Sequence, residues 1–288
     1  MLDPATIPDR PPPEILWRRK FSLTRDFKEF WRDKELIRSI GERDIRSRYV
    51  QSYLGLAWAI LTPLMTVFVF GYFFKKIGKV DTKGPPGYNA PYYLQIYCGL
   101  LPWQFFSSAV GSAAGALVAN NMILNKMKCG REIFPIEQIG TSFFDLMLAS
   151  IPFGLLFIRY LYAPTPTVYW VLPLFALQMM FTIGLGLALS VLYVYLRDVG
   201  MVLSGFFTVG LFVSPVAYPL SAIPASYRFP LSIVDPFVPL IDGYRRAILF
   251  NEAPNFHLLW PAAITCTVAL IAGYTIFRRG EIGIADVA

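Results

Sequence analysis

The chemistry open to this chain is bounded by how few reactive side chains sit in its apolar runs. Asp145 is the one carboxylate well inside such a run, and His257 is the single histidine among 288 residues. An ionised Asp at the centre of a membrane helix is disfavoured by roughly 2.5–3.5 kcal/mol on insertion scales. Asp145 must therefore meet a partner or a wet cavity, either as a structural hydrogen bond to a neighbouring helix or as a polar position on a transport path. One histidine cannot build a His-based metal cluster or support His-dependent acyl transfer. Cys98, Cys129 and Cys266 lack the CxxC spacing of zinc or redox sites, and two of them fall inside apolar runs, so free thiols are expected. No GxxxxGK[ST] occurs in the sequence. A phosphate-cradling loop, and with it ATP hydrolysis by this chain, is therefore not expected, and any energy it uses must come from elsewhere. No catalytic residue, metal site or cofactor is assigned to this chain.

The elements that must position these residues follow from composition. Hydrophobic residues make up 55% of the chain and charged residues only 16%, against about 25% charged in an ordinary soluble domain. So few charges cannot cover a water-soluble surface. About 20 apolar residues cross a bilayer as a helix, so the chain has room for six crossings with their loops and for no second large domain. The net charge of +7 lies in segments flanking apolar runs, as membrane orientation requires, and does not call for nucleic acid. The first fifty residues carry charge throughout and lack the apolar core and cleavage site of a signal peptide.

Read along the chain, residues 1–26 open with DPATIPDRPPP, whose prolines lack the amide donor for a continuous helix, and are expected to form a flexible cytoplasmic lead. In 27–52, Phe27, Phe30, Trp31, Ile37 and Ile40 share one helical face, and Lys28, Arg32, Asp33, Glu35, Arg38 and Glu42 occupy the rest. That pattern predicts an amphipathic helix, lying in the membrane interface or packed on another protein element; the immediate approach to a span favours the interface. A single membrane domain is expected over 53–277. Its spans run at 53–74, 93–119, about 138–161, 168–196, 199–214 and 257–277. A charged segment at 120–137 separates the second and third. The second span is rich in small residues in its second half, which permits close helix approach. Six prolines between Pro215 and Pro239 rule out one straight helix in 215–245 and predict a re-entrant pair, buried in protein or lining a wet cavity. Residues 278–288 form the tail. Placing both termini, 120–137 and Arg197-Asp198 on the cytoplasmic side puts eighteen Lys and Arg inside and eight elsewhere, the favoured orientation, although Lys75, Lys76, Lys79 and Lys83 then lie outside.

Three stretches together resemble the transmembrane subunit of type-2 ATP-binding-cassette polysaccharide exporters, the O-antigen, teichoic acid, capsule and galactan export family. The first is RDIRSRYVQSYLGLAWAILTPL (43–64), with Arg43, Asp44, Arg48, Tyr49, Leu54, Gly55, Trp58 and Pro63. The second is GLLPWQFFSSAVGSAAGALVANNMILNKMKCGREIFPI (99–136), with Pro102, Trp103, Phe105, Phe106, Asn120, Lys126, Arg131 and Glu132. The third joins RDVG (197–200), SPVAYPLSAIP (214–224) and DPFVPLIDGYRRAIL (235–249), and the closing Ala285-Asp286-Val287 is also similar. Asp235-Pro236 stands where the family has Asn-Pro, and Cys129-Gly130 where an aromatic and Pro often precede the Arg-Glu pair. The resemblance implies an all-α, multi-pass protein of a bacterial inner membrane. It further implies a homodimer joined to two copies of a separate ATPase that binds the ATP and Mg. It assigns 120–137 as a coupling helix seated on that ATPase, with Asn125, Lys126, Lys128, Arg131 and Glu132 as its contacts.

A lipid-linked polysaccharide presents CH-rich faces and hydroxyl rims, and aromatic rings stack on the former while allowing sliding. Tyr49, Tyr53, Trp58, Trp103, Phe105, Phe106, Phe206, Phe207, Phe212 and Tyr218, on the first, second and fifth spans, are the candidates. Belt residues at the two interfaces are the ordinary alternative for any single ring. Two other functions share some of these features. One is a type-2 exporter of a small hydrophobic drug or lipid, from which the 102–136 stretch and the amphipathic N-terminal helix differ. The other is a membrane transferase acting on a lipid-linked sugar, against which the lack of a DxD or clustered acidic loop argues.

Overall fold

The computed structural model describes residues 34–50, 55, 57–73, 90–126, 130–163 and 165–287. Among these, ten α-helices and no strand occur: α1 (Lys34–Val50), α2 (Ala57–Tyr72), α3 (Tyr92–Ala119), α4 (Asn121–Lys126), α5 (Ile133–Arg159), α6 (Val171–Tyr195), α7 (Val199–Val213), α8 (Ala225–Val234), α9 (Phe237–Arg245) and α10 (Phe256–Val287). The protein is an all-α membrane protein. Three stretches are long and apolar enough to cross a membrane by length and composition: Ile133–Arg159, Pro166–Tyr195 and Phe256–Gly280. α2 and α7, with 16 and 15 residues, rise about 24 and 22 Å at 1.5 Å per residue. The residues from 53 to 56 that would extend α2 lie outside the described ones, apart from Gly55.

α3 is the axis of the molecule. Its 28 residues begin after Pro91 and are buried over most of their circumference, with Leu94, Ile96, Tyr97, Ala109, Val110, Ala113 and Ala114 at 1% exposure or less. A helix apolar all round belongs inside a bundle, and α3 is enclosed by α2, α5, α6, α7 and α9. Pro102 interrupts its hydrogen-bond ladder. The Gln178 amide of α6 donates to the Pro102 carbonyl at 2.8 Å, and the Tyr244 hydroxyl of α9 donates to Gln178 at 2.8 Å, so the proline turn is tied to two neighbours. α6 and α10 make the closest helix contact: a Cβ on Gly273 would lie 1.9 Å from the Gly184 carbonyl oxygen, an approach that only small residues permit.

The Pro-rich stretch resolves into a turn at 214–218, a 3₁₀ turn at Leu220–Ala222, and the short helices α8 and α9. Asp235, just before α9, ties the start of that helix to the turn: its Oδ1 accepts the Phe237 amide at 2.9 Å and its Oδ2 accepts the Ser214 hydroxyl at 2.5 Å. Two expected boundaries differ. The 120–137 segment divides into α4, a turn at 130–132 and the first residues of α5, while 127–129 lie outside the described residues. α10 runs through Arg278-Arg279 to Val287. Close packing explains that continuation, since a Cβ on Gly280 would meet Val191 Cγ1 of α6 at 2.2 Å. Residues 1–33, including the expected lead, lie outside the described residues. In α1, Ile40 is buried against α5 among Phe134 and Leu117, while Arg38, Glu42 and Arg46 are exposed. The helix thus packs part of its apolar stripe on protein.

Candidate functional site

Two cavities flank the same face of α3. The larger, of about 460 Å³, lies between α1, α2, α3, α5 and α7. Trp58, Phe105 and Phe207 supply ring walls, and Thr62, Gln104, Ser107, Ser108, Ser142 and Asp145 supply hydroxyl, amide and carboxylate groups. The Tyr49 hydroxyl donates to Asp145 Oδ1 at 2.5 Å across 96 residues of sequence. Asp145 therefore both makes a hydrogen bond to a neighbouring helix and borders a polar cavity. Helix geometry explains the convergence: Gln104, Ser107 and Ser108 are one turn apart on α3, as are Ser142, Asp145 and Ala149 on α5.

The smaller cavity, of about 360 Å³, sits at the C-terminal end of α3 and is lined by residues of α1, α3 and α5. Arg43 donates to Asp44 Oδ1 at 2.8 Å and to Asn120 Oδ1 at 2.8 Å, and the Gln138 amide donates to Asp44 Oδ2 at 2.5 Å. Gln138 and Thr141 also donate to the buried carboxylate of Glu137, at 2.9 and 2.6 Å. Two of the stretches carrying the family resemblance, around 43 and around 120, thus meet in one bonded cluster.

The expected ring set separates into distinct environments. Trp103 and Phe106 are 5% and 1% exposed. They are enclosed by one another and by Phe181, Phe207 and Phe237, so they offer no open face and serve as core. Phe105, 3% exposed, packs on Phe143 and Phe175 and only edges the larger cavity. Trp58, Phe206 and Phe212 are 45%, 57% and 54% exposed. Phe212 still meets Phe70 of α2 edge-on at 6.0 Å, which brings α2 and α7 together. Tyr218 donates to the Phe212 and Val213 carbonyls at 3.1 and 2.6 Å, closing the end of α7. Tyr53 lies outside the described residues.

Of the expected coupling contacts, Lys128 lies outside the described residues, as do the side chains of Asn125 and Lys126. Arg131 is half-buried, and Glu132 turns inward. Glu132 is 8% exposed and its Oε1 accepts from Arg278 of α10 at 3.2 Å. Glu132 is thereby a tie between the turn before α5 and the last helix.

Sequence reasoning missed Arg245. It is buried at 5% exposure and donates to the carbonyls of Gln95 (3.0 Å), Pro215 (2.7 Å) and Tyr218 (2.8 Å), and also to that of Val216. A guanidinium presents five donors in a fixed fork, and here the fork gathers the irregular 214–218 turn onto α3. Gly99 permits this, since a Cβ there would lie 2.8 Å from both Arg245 Nη2 and the Val216 carbonyl. The available signal was a permanent cation inside an apolar, Pro-rich stretch, which must find acceptors.

The family model for the ABC-2 type transporter matches residues 35–249. An O-antigen export system permease protein of Myxococcus xanthus is 30% identical over 264 residues, covering 90% of this chain and 98% of that protein. A Klebsiella pneumoniae permease of the same description is 26% identical over 259 residues, 88% of this chain and 95% of its own. The polysialic acid transport protein of Escherichia coli is 24% identical over 263 residues, 86% of this chain and 94% of its own. With a match that spans α1 to the end of the re-entrant region, this chain belongs to the ABC-2 type transporter membrane family.

Proposed function

We propose that this chain is the membrane-spanning subunit of an ATP-driven exporter that carries a lipid-linked polysaccharide from the cytoplasmic side across a bacterial inner membrane. The observation carrying this reading is the end-to-end similarity to an O-antigen export permease, which covers 98% of that protein. A cavity that pairs ring walls with hydroxyl, amide and carboxylate groups suits a glycan better than a purely apolar cargo. The sequence has no nucleotide-binding loop, so a separate ATPase must bind the ATP and Mg and supply hydrolysis. The working assembly is two copies of this chain and two of that ATPase, with both termini and the segment from Asn120 to Glu132 facing the cytoplasm.

The test is complementation. A strain lacking its own O-antigen export permease, supplied with this chain and the ATPase encoded with it, should display polysaccharide at the surface. Purified alone, the chain should hydrolyse no ATP. Membrane-inserted chain with an active ATPase but no surface glycan would overturn the proposal, as would turnover of ATP by the purified chain free of contaminants.

A further inference from the structure

The smaller cavity is the feature that packing alone does not account for. Its floor is α3 backbone laid bare by Gly111, Gly115 and Ala119, one every fourth residue along a single face. Helices bring such stripes together to pack closely, yet at Gly115 the stripe faces space: a Cβ there would meet nothing within 4 Å, while one on Gly111 would touch the Phe207 ring at 3.7 Å. Around the floor stand four planar polar groups, the Arg43 guanidinium, the Asp44 carboxylate and the Asn120 and Gln138 amides, held in register by their mutual hydrogen bonds. Gln138 also donates to Glu137, and Asn120 Nδ2 donates to the Ala116 carbonyl at 3.0 Å, but the Arg43 guanidinium and the Asp44 carboxylate have more donor and acceptor positions than these bonds use, so the ring can take up neighbouring groups that both donate and accept. Vicinal sugar hydroxyls are groups of that kind.

Charge selects among polar ligands. Arg43 is neutralised by Asp44 at 2.8 Å, so a phosphate entering the cavity would meet a carboxylate as well as a cation, whereas a neutral polyol meets no opposing field. At about 30 Å³ per water, the 360 Å³ cavity has room for a sugar ring with some of its hydration. No aromatic side chain lines it, in contrast to the larger cavity with Trp58, Phe105 and Phe207. Gln104 of the larger cavity and Asn120 of the smaller lie 16 residues apart on or just past α3, about 24 Å along its axis.

We propose that the Arg43–Asp44–Asn120–Gln138 cavity is a carbohydrate subsite that holds neutral sugar hydroxyls edge-on, next to the ring-walled cavity in which the faces of the same glycan stack. This rests on the export reading and adds to it a second, ring-free site at the end of α3 beside α4.

Photo-crosslinking in cells tests it, using the full chain with its ATPase and the lipid-linked glycan that the cell makes. A benzoylphenylalanine is placed at position 47, where Ser47 forms part of the α1 wall of the smaller cavity, and at position 58 in the larger. A third is placed at position 155 of α5, where Leu155 is 58% exposed away from both cavities. Irradiation should attach glycan, read by a sugar-specific antibody, at 47 and 58 but not at 155, and only in cells whose first sugar transferase is intact. In parallel, Gly115→Leu should fill the cavity and lower export about tenfold or more, the loss expected when one or two charge-assisted hydrogen bonds to the ligand go. Gly115→Ala should fold and export normally. A glycan adduct at 58 without one at 47, an adduct at 47 that persists without the transferase, or normal export by Gly115→Leu would overturn the subsite. Absence of adducts at both positions together with absence of export by the unsubstituted chain would instead overturn the export reading.

Discussion

α3 and α7 carry the same kind of sequence, a pair of adjacent phenylalanines among apolar and small residues, and they use it in opposite ways. On α3, Phe105 and Phe106 are 3% and 1% exposed and locked among six other rings. On α7, Phe206 and Phe212 are more than half exposed, and Phe207 alone turns inward to meet Phe106 at 5.7 Å. The difference is in the neighbours. α3 has helices on every side, whereas α7 touches few, and one of its glycines, Gly210, sits so close to Trp103 that a Cβ would be 2.6 Å from the indole. Ring chemistry in a membrane helix is thus decided by where the helix stands in the bundle. A surface for a sliding glycan can be built from α2 and α7 but not from the enclosed rings of α3.

The sharpest way to break this comparison is a paired truncation. Phe106→Ala should destabilise by about 3–5 kcal/mol, the usual cost of emptying a packed aromatic site, and should leave little folded protein in detergent. Phe206→Ala on α7 should shift the unfolding temperature hardly at all. Equal losses measured by heating and size-exclusion would mean that the α7 face is also packed and that the contrast is wrong.

A second contrast lies between Arg245 and the exposed cations of α1. Arg245→Met would orphan the four carbonyls it gathers, at about 1–3 kcal/mol for each left unsatisfied, so a loss of fold comparable to that of Phe106→Ala is expected. Arg245→Lys should recover only part, since an ammonium cannot reproduce the planar fork. Arg38→Ala, which removes an exposed i,i+4 pair with Glu42 at 2.7 Å, should change stability within experimental error. Full rescue by lysine would show that the fork geometry is unimportant.

Glu132 and Arg131, adjacent in sequence, form a third pair. Glu132→Gln should cost about 1–3 kcal/mol, between an exposed and a fully buried ion pair, because its partner Arg278 is 15% exposed at the side chain. Arg131→Ala should cost less than that in stability and instead weaken association with the ATPase, if the turn at 130–132 belongs to the docking surface. Co-purification of the ATPase and thermal unfolding separate the two; a stable Glu132→Gln variant would remove the proposed tie to α10.

These contrasts also mark what sequence could and could not reveal. The apolar runs and the six prolines from Pro215 to Pro239 mark the helical stretches and the irregular one, because bilayer length and the missing proline amide are local constraints. Asp145 stood out because burying a lone carboxylate is unfavourable wherever its partner lies. Its partner did not stand out: Tyr49 lies 96 residues away, and only the packing of α1 on α5 brings the two together. The same applies to Arg43 with Asn120, 77 residues apart. The division of rings between core and surface depends on helix neighbours, which composition does not encode. The inward turn of Glu132 was hidden because its charge resembles that of any solvated loop, and its mate is 146 residues downstream.

The smallest expected change in stability, and the one that bears most directly on transport, is at Trp58. Its indole borders the larger cavity and is 45% exposed, so truncation removes little packing. Surface substitutions of this kind usually stay within about 0.5 kcal/mol. A packing role and a glycan-facing role diverge when the replacement keeps volume but loses the flat face. Trp58→Phe retains a ring and should export nearly normally; Trp58→Leu keeps apolar bulk and should lose export to the same degree as Trp58→Ala. In all three, the amount of folded protein and the ATP hydrolysis measured with the ATPase should match the unsubstituted protein. Restoration of export by leucine would show that bulk alone matters at this position, and loss of folded protein in the alanine variant would move Trp58 to the packed side of the comparison, beside Phe106.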